Sequence, residues 1–169
     1  TMLIKKDKYN IAIVGATGIV GESLLSILDS RSFPINGIHA VASQKSKGVK
    51  VKFGDHLLTV EALDEFDFSN IDIAFFSAGG SISKEYAPKA ASQGCIVIDN
   101  TSEFRYVDNI PLIVPEVNPN DIEKYKETNI IANPNCSTIQ MLVALKPLHD
   151  EFGVDNINVS TYQAVSGSG

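Results

Sequence analysis

The 169-residue chain lacks the features that place a protein in a membrane or on nucleic acid. No apolar run approaches the ~20 residues of a membrane-spanning helix. The opening TMLIKKDKYN is basic but has no apolar stretch of the kind a secretory leader requires. Basic residues are scarce, 14 Lys and Arg against 20 Asp and Glu, giving a net charge of -6 and a pI near 5.0. A surface of that sign repels both nucleic acid and anionic lipid, so neither is expected as a partner. Two cysteines, Cys95 and Cys136, are too few for a disulfide framework, and free thiols are expected. Internal repeats and low-complexity segments are also missing. What is present is a 44% hydrophobic composition, enough for a proper core. The expectation is a cytoplasmic chain of one domain, or of one domain plus part of another. Thr1 ahead of Met2 reads as a cloning remnant, and AVSGSG stops at glycines without a closing helix, so a piece of a longer protein is expected.

Short β-branched runs alternate with helix-length amphipathic stretches: YNIAIVG, GESLLSILDS, GIHAVAS, IDIAFFSAGG, SKEYAPKAASQG and CIVIDNTS. This is the pattern of βαβ units on a parallel sheet. IAIV, IAFF and CIVI have no polar alternation, as expected of strands covered on both faces. The fold class is therefore α/β, a Rossmann-like doubly wound parallel sheet. Residues 49 to 68 read as a small hairpin decorating the sheet, NPNDIEKYKE as a capped short helix from Asn118, and TNIIAN as a further strand. A boundary is expected near Asn133. It separates a dinucleotide-binding domain, 1–133, from the beginning of a catalytic and dimerisation domain, 134–169, that opens with one helix and a long strand, NINVSTYQAVSG.

GATGIVG places Gly15, Gly18 and Gly21 directly after the first strand and at the start of a helix. Gly15 permits the tight turn, Gly18 lets the backbone approach a pyrophosphate, and Gly21 lets the helix pack close to the sheet. The helix N-terminus supplies amide donors through Ala16, Thr17, Ile19 and Val20. The alternative is a tight strand-to-helix turn without a ligand. Dinucleotides without a 2′-phosphate are usually held by an acid at the end of the second strand. Here the text is AVASQKSKG, with no Asp or Glu. Ser43, Lys45 and Ser46 suit a 2′-phosphate, so NADP is favoured over NAD, against the alternative of a solvated basic turn.

Asn133, Pro134 and Asn135 form a strong turn, Asn135 is a good N-cap, and Ile139, Leu142 and Val143 follow at helical spacing. Cys136 thus falls in the first turn of a helix, where the dipole and unpaired amides favour the thiolate. It is expected to be a nucleophile, whereas Cys95 opens the apolar run CIVID and is expected to fill core. A thiolate beside a nicotinamide suits attack on an aldehyde or acyl carbon, with hydride passed to or from that carbon. Such chemistry also needs a base, ordinarily histidine. His39, His56 and His149 all read as packing or surface residues, and the base is missing. A non-catalytic, redox-sensing dinucleotide module is the competing reading.

GATGIVGESLL, ASQKSKG, FFSAGGSISKEYAP, VIDNTSEFR, VPEVN, NPNCSTIQM and TYQAVSGSG, in this order, closely resemble aspartate-semialdehyde dehydrogenase over nearly the whole chain. NPNCST is the most specific. The N-acetyl-glutamyl-phosphate reductases carry His-Pro-Gly before the thiol, and glyceraldehyde-3-phosphate dehydrogenase also has a different cysteine motif. The resemblance implies reversible NADPH-dependent reductive dephosphorylation of L-aspartyl 4-phosphate to L-aspartate 4-semialdehyde, on the route to lysine, threonine and methionine. It implies Cys136 as the acyl acceptor, Asn135 positioning substrate, Gln163 orienting the thioester, and Arg105 binding the substrate phosphate. It places Ser77, Ala78, Gly79, Gly80, Asn100 and Thr101 in the cofactor cleft, with Ser166 and Gly167 on the nicotinamide side. Lys45 stands where many members carry arginine. Family members are longer, and the resemblance implies that their remaining part holds the base histidine, the arginine for the substrate carboxylate and most of the surface of a homodimer or homotetramer. The chain alone is expected to bind cofactor weakly and not to turn over, and the apolar surface left bare is expected to promote association.

Overall fold

Residues 5–164 are described by the computed structural model. The first apolar run forms strand β1 (Tyr9–Val14), whose side chains alternate between two cores: Ile11 and Ile13 face one, Ala12 and Val14 the other. Both faces of β1 are therefore buried, which is why the run shows no polar alternation. Helix α1 (Ile19–Ser30) covers the first face with Leu25 and Leu28. Strand β2 (Ile35–Ala42) returns parallel to β1. A short 3-10 turn, Gln44–Ser46, and an antiparallel hairpin of β3 (Lys50–Phe53) and β4 (His56–Thr59) follow. The hairpin packs beside α1 and adds Val51 to the same core.

Strand β5 (Glu61–Ala62) pairs parallel with β2, and a 3-10 turn, Leu63–Glu65, succeeds it. Strand β6 (Ile73–Phe76) crosses to the other side of β1, and α2 (Gly80–Ser92) covers the second face through Ala87, Ala90 and Ala91. Strands β7 (Ile96–Asp99) and β8 (Ile130–Ala132) complete a six-stranded sheet of order β5-β2-β1-β6-β7-β8, with every pairing parallel. The order reverses direction between β1 and β6, and in such sheets ligands bind outside the carboxyl ends of the strands at that switch. The doubly wound sheet expected from the apolar runs is present. Helix α3 (Cys136–Phe152) leaves the end of β8.

Three expectations need correction. The segment after Asn118 is the expected short helix, of 3-10 form over Pro119–Glu127, but it has no side-chain cap. Asn118 instead clamps the loop before it: its Oδ1 accepts from Val114 N at 3.0 Å and its Nδ2 donates to Leu112 O at 3.0 Å. NINVSTYQAVSG forms no strand as far as it is described, to residue 164, because no neighbouring strand offers its backbone a partner there. Third, the decorating segment is only partly decoration, since two of its residues, Glu61 and Ala62, belong to the main sheet.

Candidate functional site

The glycine loop turns at the carboxyl end of β1. Gly15 has φ +94°, and a Cβ there would lie 2.9 Å from the backbone carbon of Ser77. At Gly21 a Cβ would stand 2.3 Å from the Gly15 carbonyl oxygen. These two glycines are therefore demanded by the protein's own packing. Gly18 differs: it is exposed, its φ is -91°, and a Cβ would meet only Gly15 O at 3.4 Å. Nothing among the described residues requires glycine at that position, and beyond that one contact the space is open. The amides of Gly15 and Ala16 donate to Val41 O, tying the loop to the end of β2. Ala16 is buried, whereas Thr17, Ile19 and Val20 are exposed around the helix start.

Opposite, at the end of β6, the Ser77 amide donates to Val14 O at 2.9 Å and its Oγ to the same oxygen at 3.3 Å. Ala78 and Gly79 are exposed, Gly80 is half-buried, and Gly79 holds φ +97° as the N-cap of α2. Neither α1 nor α2 has a side-chain cap, so two helix N-termini open at the switch point with first-turn donors that no capping side chain satisfies. This donor set fits a dinucleotide's pyrophosphate.

At the end of β2, Ser43 and Lys45 are exposed and Ser46 is half-buried, all on the short turn that follows the strand. An acid does stand at this turn, supplied from elsewhere in the chain. Glu65, after β5, accepts from Gln44 Nε2 and pairs with Lys47 Nζ. Those contacts, Lys47 first, hold its carboxyl below the usual glutamate range. The sequence reading missed Glu65 because it lies about 20 positions along the chain, and only the parallel pairing of β5 with β2 brings it back. A cavity of about 360 Å³ lies beside the turn, lined in part by Lys47, Gly48, Glu65 and Phe66.

The carboxyl ends of β7 and β8 carry a polar network. Asp99, fully buried, accepts from Ser83 Oγ at 2.6 Å and from Thr101 Oγ1 at 2.7 Å, joining the first turn of α2 to the loop after β7. Neither Asp99 nor Ser83 was singled out from the sequence. The signal was an acid closing an apolar strand with a threonine two residues on. Asn100 and Asn133 join across the two strand ends through Asn133 Nδ2 and Asn100 Oδ1, 2.5 Å apart. Arg105 lies across the pair, its Nε donating to Asn133 O at 3.0 Å and its Nη2 to Asn100 O at 3.2 Å. The guanidinium is thus half-buried and oriented by two backbone carbonyls, with no carboxylate paired to it among the described residues. A fork held that way suits an anionic ligand.

Cys136 is the first residue of α3 and is exposed. Asn135 caps the helix as expected, its Oδ1 accepting from Ser137 N at 3.0 Å and Thr138 N at 3.3 Å, which leaves its Nδ2 as the group open to a ligand. Asn133 joins the turn to the Arg105 network, so thiol and guanidinium follow two neighbouring strand ends, those of β8 and β7. Cys95 is fully buried, and burial above all, with the nearby Asp72 charge second, pushes its thiol up to about 12. Gln163 is exposed in the irregular segment after α3, with no hydrogen bond to Cys136 among the described residues. Ser166 and Gly167 lie outside the described residues. None of the histidines reaches the thiol. His39 pairs with Glu61 at 2.8 Å, His56 is exposed in the hairpin, and His149 accepts from Val154 N far along α3.

Comparison with known proteins agrees with this fold. Residues 10–125 match the family described as "Semialdehyde dehydrogenase, NAD binding domain". The aspartate-semialdehyde dehydrogenase of Legionella pneumophila is 58% identical over 160 residues, which are 95% of this chain and 46% of that protein. The crystal structure of aspartate semialdehyde dehydrogenase II from Vibrio cholerae complexed with ASA matches at TM-score 0.93 and 53% identity, covering 96% of this chain and 48% of that one. The Candida albicans aspartate semialdehyde dehydrogenase with NADP matches at TM-score 0.69 and 26% identity, over 87% of this chain and 48% of that one. The chain spans about half the length of the curated relatives it matches. With a glycine loop at the switch point of a β5-β2-β1-β6-β7-β8 sheet and an exposed thiol at the head of the helix beyond it, the chain belongs to the semialdehyde dehydrogenase family, whose NAD-binding domain it carries.

Proposed function

We propose that this chain carries the cofactor site and the nucleophile of an NADP-dependent aspartate-semialdehyde dehydrogenase, which converts L-aspartyl 4-phosphate to L-aspartate 4-semialdehyde and phosphate in lysine, threonine and methionine biosynthesis. The observation that carries the reading is the exposed Cys136 at the head of α3, after the strand next to the one that precedes an Arg105 held by carbonyls. Residues 1–133 serve as the cofactor domain and 134–169 as the start of the catalytic domain of a cytoplasmic homodimer or homotetramer.

The Cys136 thiolate attacks the acyl carbon, the C–O bond to phosphate breaks, and a thioester forms on the sulfur. Arg105 binds the phosphoryl group and stabilises the charge that leaves with it. Asn135 Nδ2 and Gln163 hold the acyl group in place. When bound, the nicotinamide supplies the hydride that converts the thioester to the aldehyde and frees the thiol. The glycine loop, Gly15 to Gly21, holds the pyrophosphate at the head of α1. Ser77, Ala78, Gly79, Gly80, Asn100 and Thr101 line the cleft, and Ser43, Lys45 and Ser46 receive the 2′-phosphate. Proton transfer at the thiol falls to a base supplied from the rest of the polypeptide, because His39, His56 and His149 all lie elsewhere. The chain by itself is therefore not expected to turn over.

The test runs the reaction backwards in the full-length protein. With semialdehyde and NADP but no phosphate, one NADPH per site should form in a burst, leaving an aspartyl group that mass spectrometry locates on Cys136. A burst that survives Cys136→Ser, or an adduct on another residue, would refute the assignment.

A further inference from the structure

The contacts of Lys47 and Glu65 bear on which dinucleotide the site accepts. Of the two lysines beside the turn after β2, Lys45 is exposed with no partner among the described residues, whereas Lys47 is paired with Glu65. Glu65 also takes the Gln44 side chain. It is held in reach by main-chain contacts: Gly48 N donates to Val60 O at 2.9 Å, fastening the end of the turn beside β5, and the 3-10 turn Leu63–Glu65 follows directly. In folds of this strand order, the end of the second strand meets the 2′ position of the adenosine ribose. A carboxylate there opposes a 2′-phosphate and accepts from a 2′-hydroxyl, while an ammonium does the reverse.

We propose that Glu65 is a specificity-determining residue that withholds Lys47 from the 2′-phosphate and so lowers the preference for NADP that Ser43, Lys45 and Ser46 confer. The inference rests on the reading of this domain as a dinucleotide site. It deepens that reading by naming the residue that limits the preference for NADP. The site has the amino-acid types of an NADP turn in sequence and the acid of an NAD site in space, supplied by Glu65 instead of by the end of β2.

The test measures NADP and NAD affinities of the chain and its variants by calorimetry, in low-salt buffer because exposed charges are screened. Glu65→Gln should raise the NADP-to-NAD affinity ratio about three- to tenfold, the size expected when a surface charge of the wrong sign is removed and one of the right sign released. Adding Lys47→Ala to Glu65→Gln should abolish most of that gain. Both residues are exposed, so melting temperatures should match the parent's and exclude misfolding. An unchanged ratio in Glu65→Gln, or a full gain in the double variant, overturns the proposal while leaving dinucleotide binding intact. No binding of either dinucleotide by the parent chain overturns both.

Discussion

The two cysteines differ in every respect that governs thiol chemistry. Cys95 is fully buried beside the charge of Asp72, and Cys136 stands exposed at a helix start. Iodoacetamide should label Cys136 in the native chain and Cys95 only after denaturation, as peptide mapping will report. Labelling of Cys95 first would contradict the fold. Because the folded Cys95 holds its proton up to about 12 while an unfolded thiol loses it near 9, the folded state binds more protons across that window. Its contribution to stability is intact below about pH 9 and declines as the pH rises toward 12. Urea midpoints measured from pH 8 upward should fall less steeply for Cys95→Ala than for the parent.

The glycine loop separates packing from ligand binding at single-residue resolution. Gly21→Ala drives a Cβ into the Gly15 carbonyl and should cost at least about 1–3 kcal/mol of stability. Gly18→Ala meets only a 3.4 Å contact, so its melting temperature should barely move while dinucleotide affinity falls. Equal loss of stability in both variants would mean that Gly18, too, is there for packing. The motif was legible in the sequence, but this division of labour was not, since it depends on which atoms face each missing Cβ.

At the scale of elements, the ends of β7 and β8 are organised in part by Asp99 and Ser83, which no motif singled out. Asp99 ties α2 to the loop bearing Arg105 through Ser83 and Thr101. Ser83→Ala leaves one oxygen of a buried carboxylate without its donor and should cost about 1–3 kcal/mol in urea unfolding. Asn135→Ala removes the cap of α3, worth about 1 kcal/mol. Because no residue of α3 is buried, the loss should appear as faster hydrogen exchange at Ser137 and Thr138, with the global transition unmoved. The cap was readable from NPNCST, as were β1, β2, β6, β7 and β8, because unbroken β-branched runs have few other uses. The short helix after Asn118 was readable but its cap was misread, because the Asn118 side chain satisfies a loop, not the helix end. A cap and a clamp use the same side chain, and sequence alone does not distinguish them.

For the molecule as a whole, the doubly wound order follows from two apolar faces on β1, each covered by one helix. What escaped the sequence came from long-range pairing. The two residues of β5 are too short for a periodicity signal, yet they carry Glu65 to the turn after β2. Helix α3 exposes Val143, Leu148 and Phe152, apolar surface of the kind that marks an interaction face. The central claim is that the sulfur of Cys136 works within reach of a nicotinamide bound at the switch point. The most direct measurement is the rate of Cys136 alkylation in the chain at saturating NADP, compared with saturating 2′,5′-ADP, which fills only the adenosine end. The account predicts that NADP slows alkylation several-fold and 2′,5′-ADP leaves it unchanged; the same rate with both, at proven saturation, would contradict it.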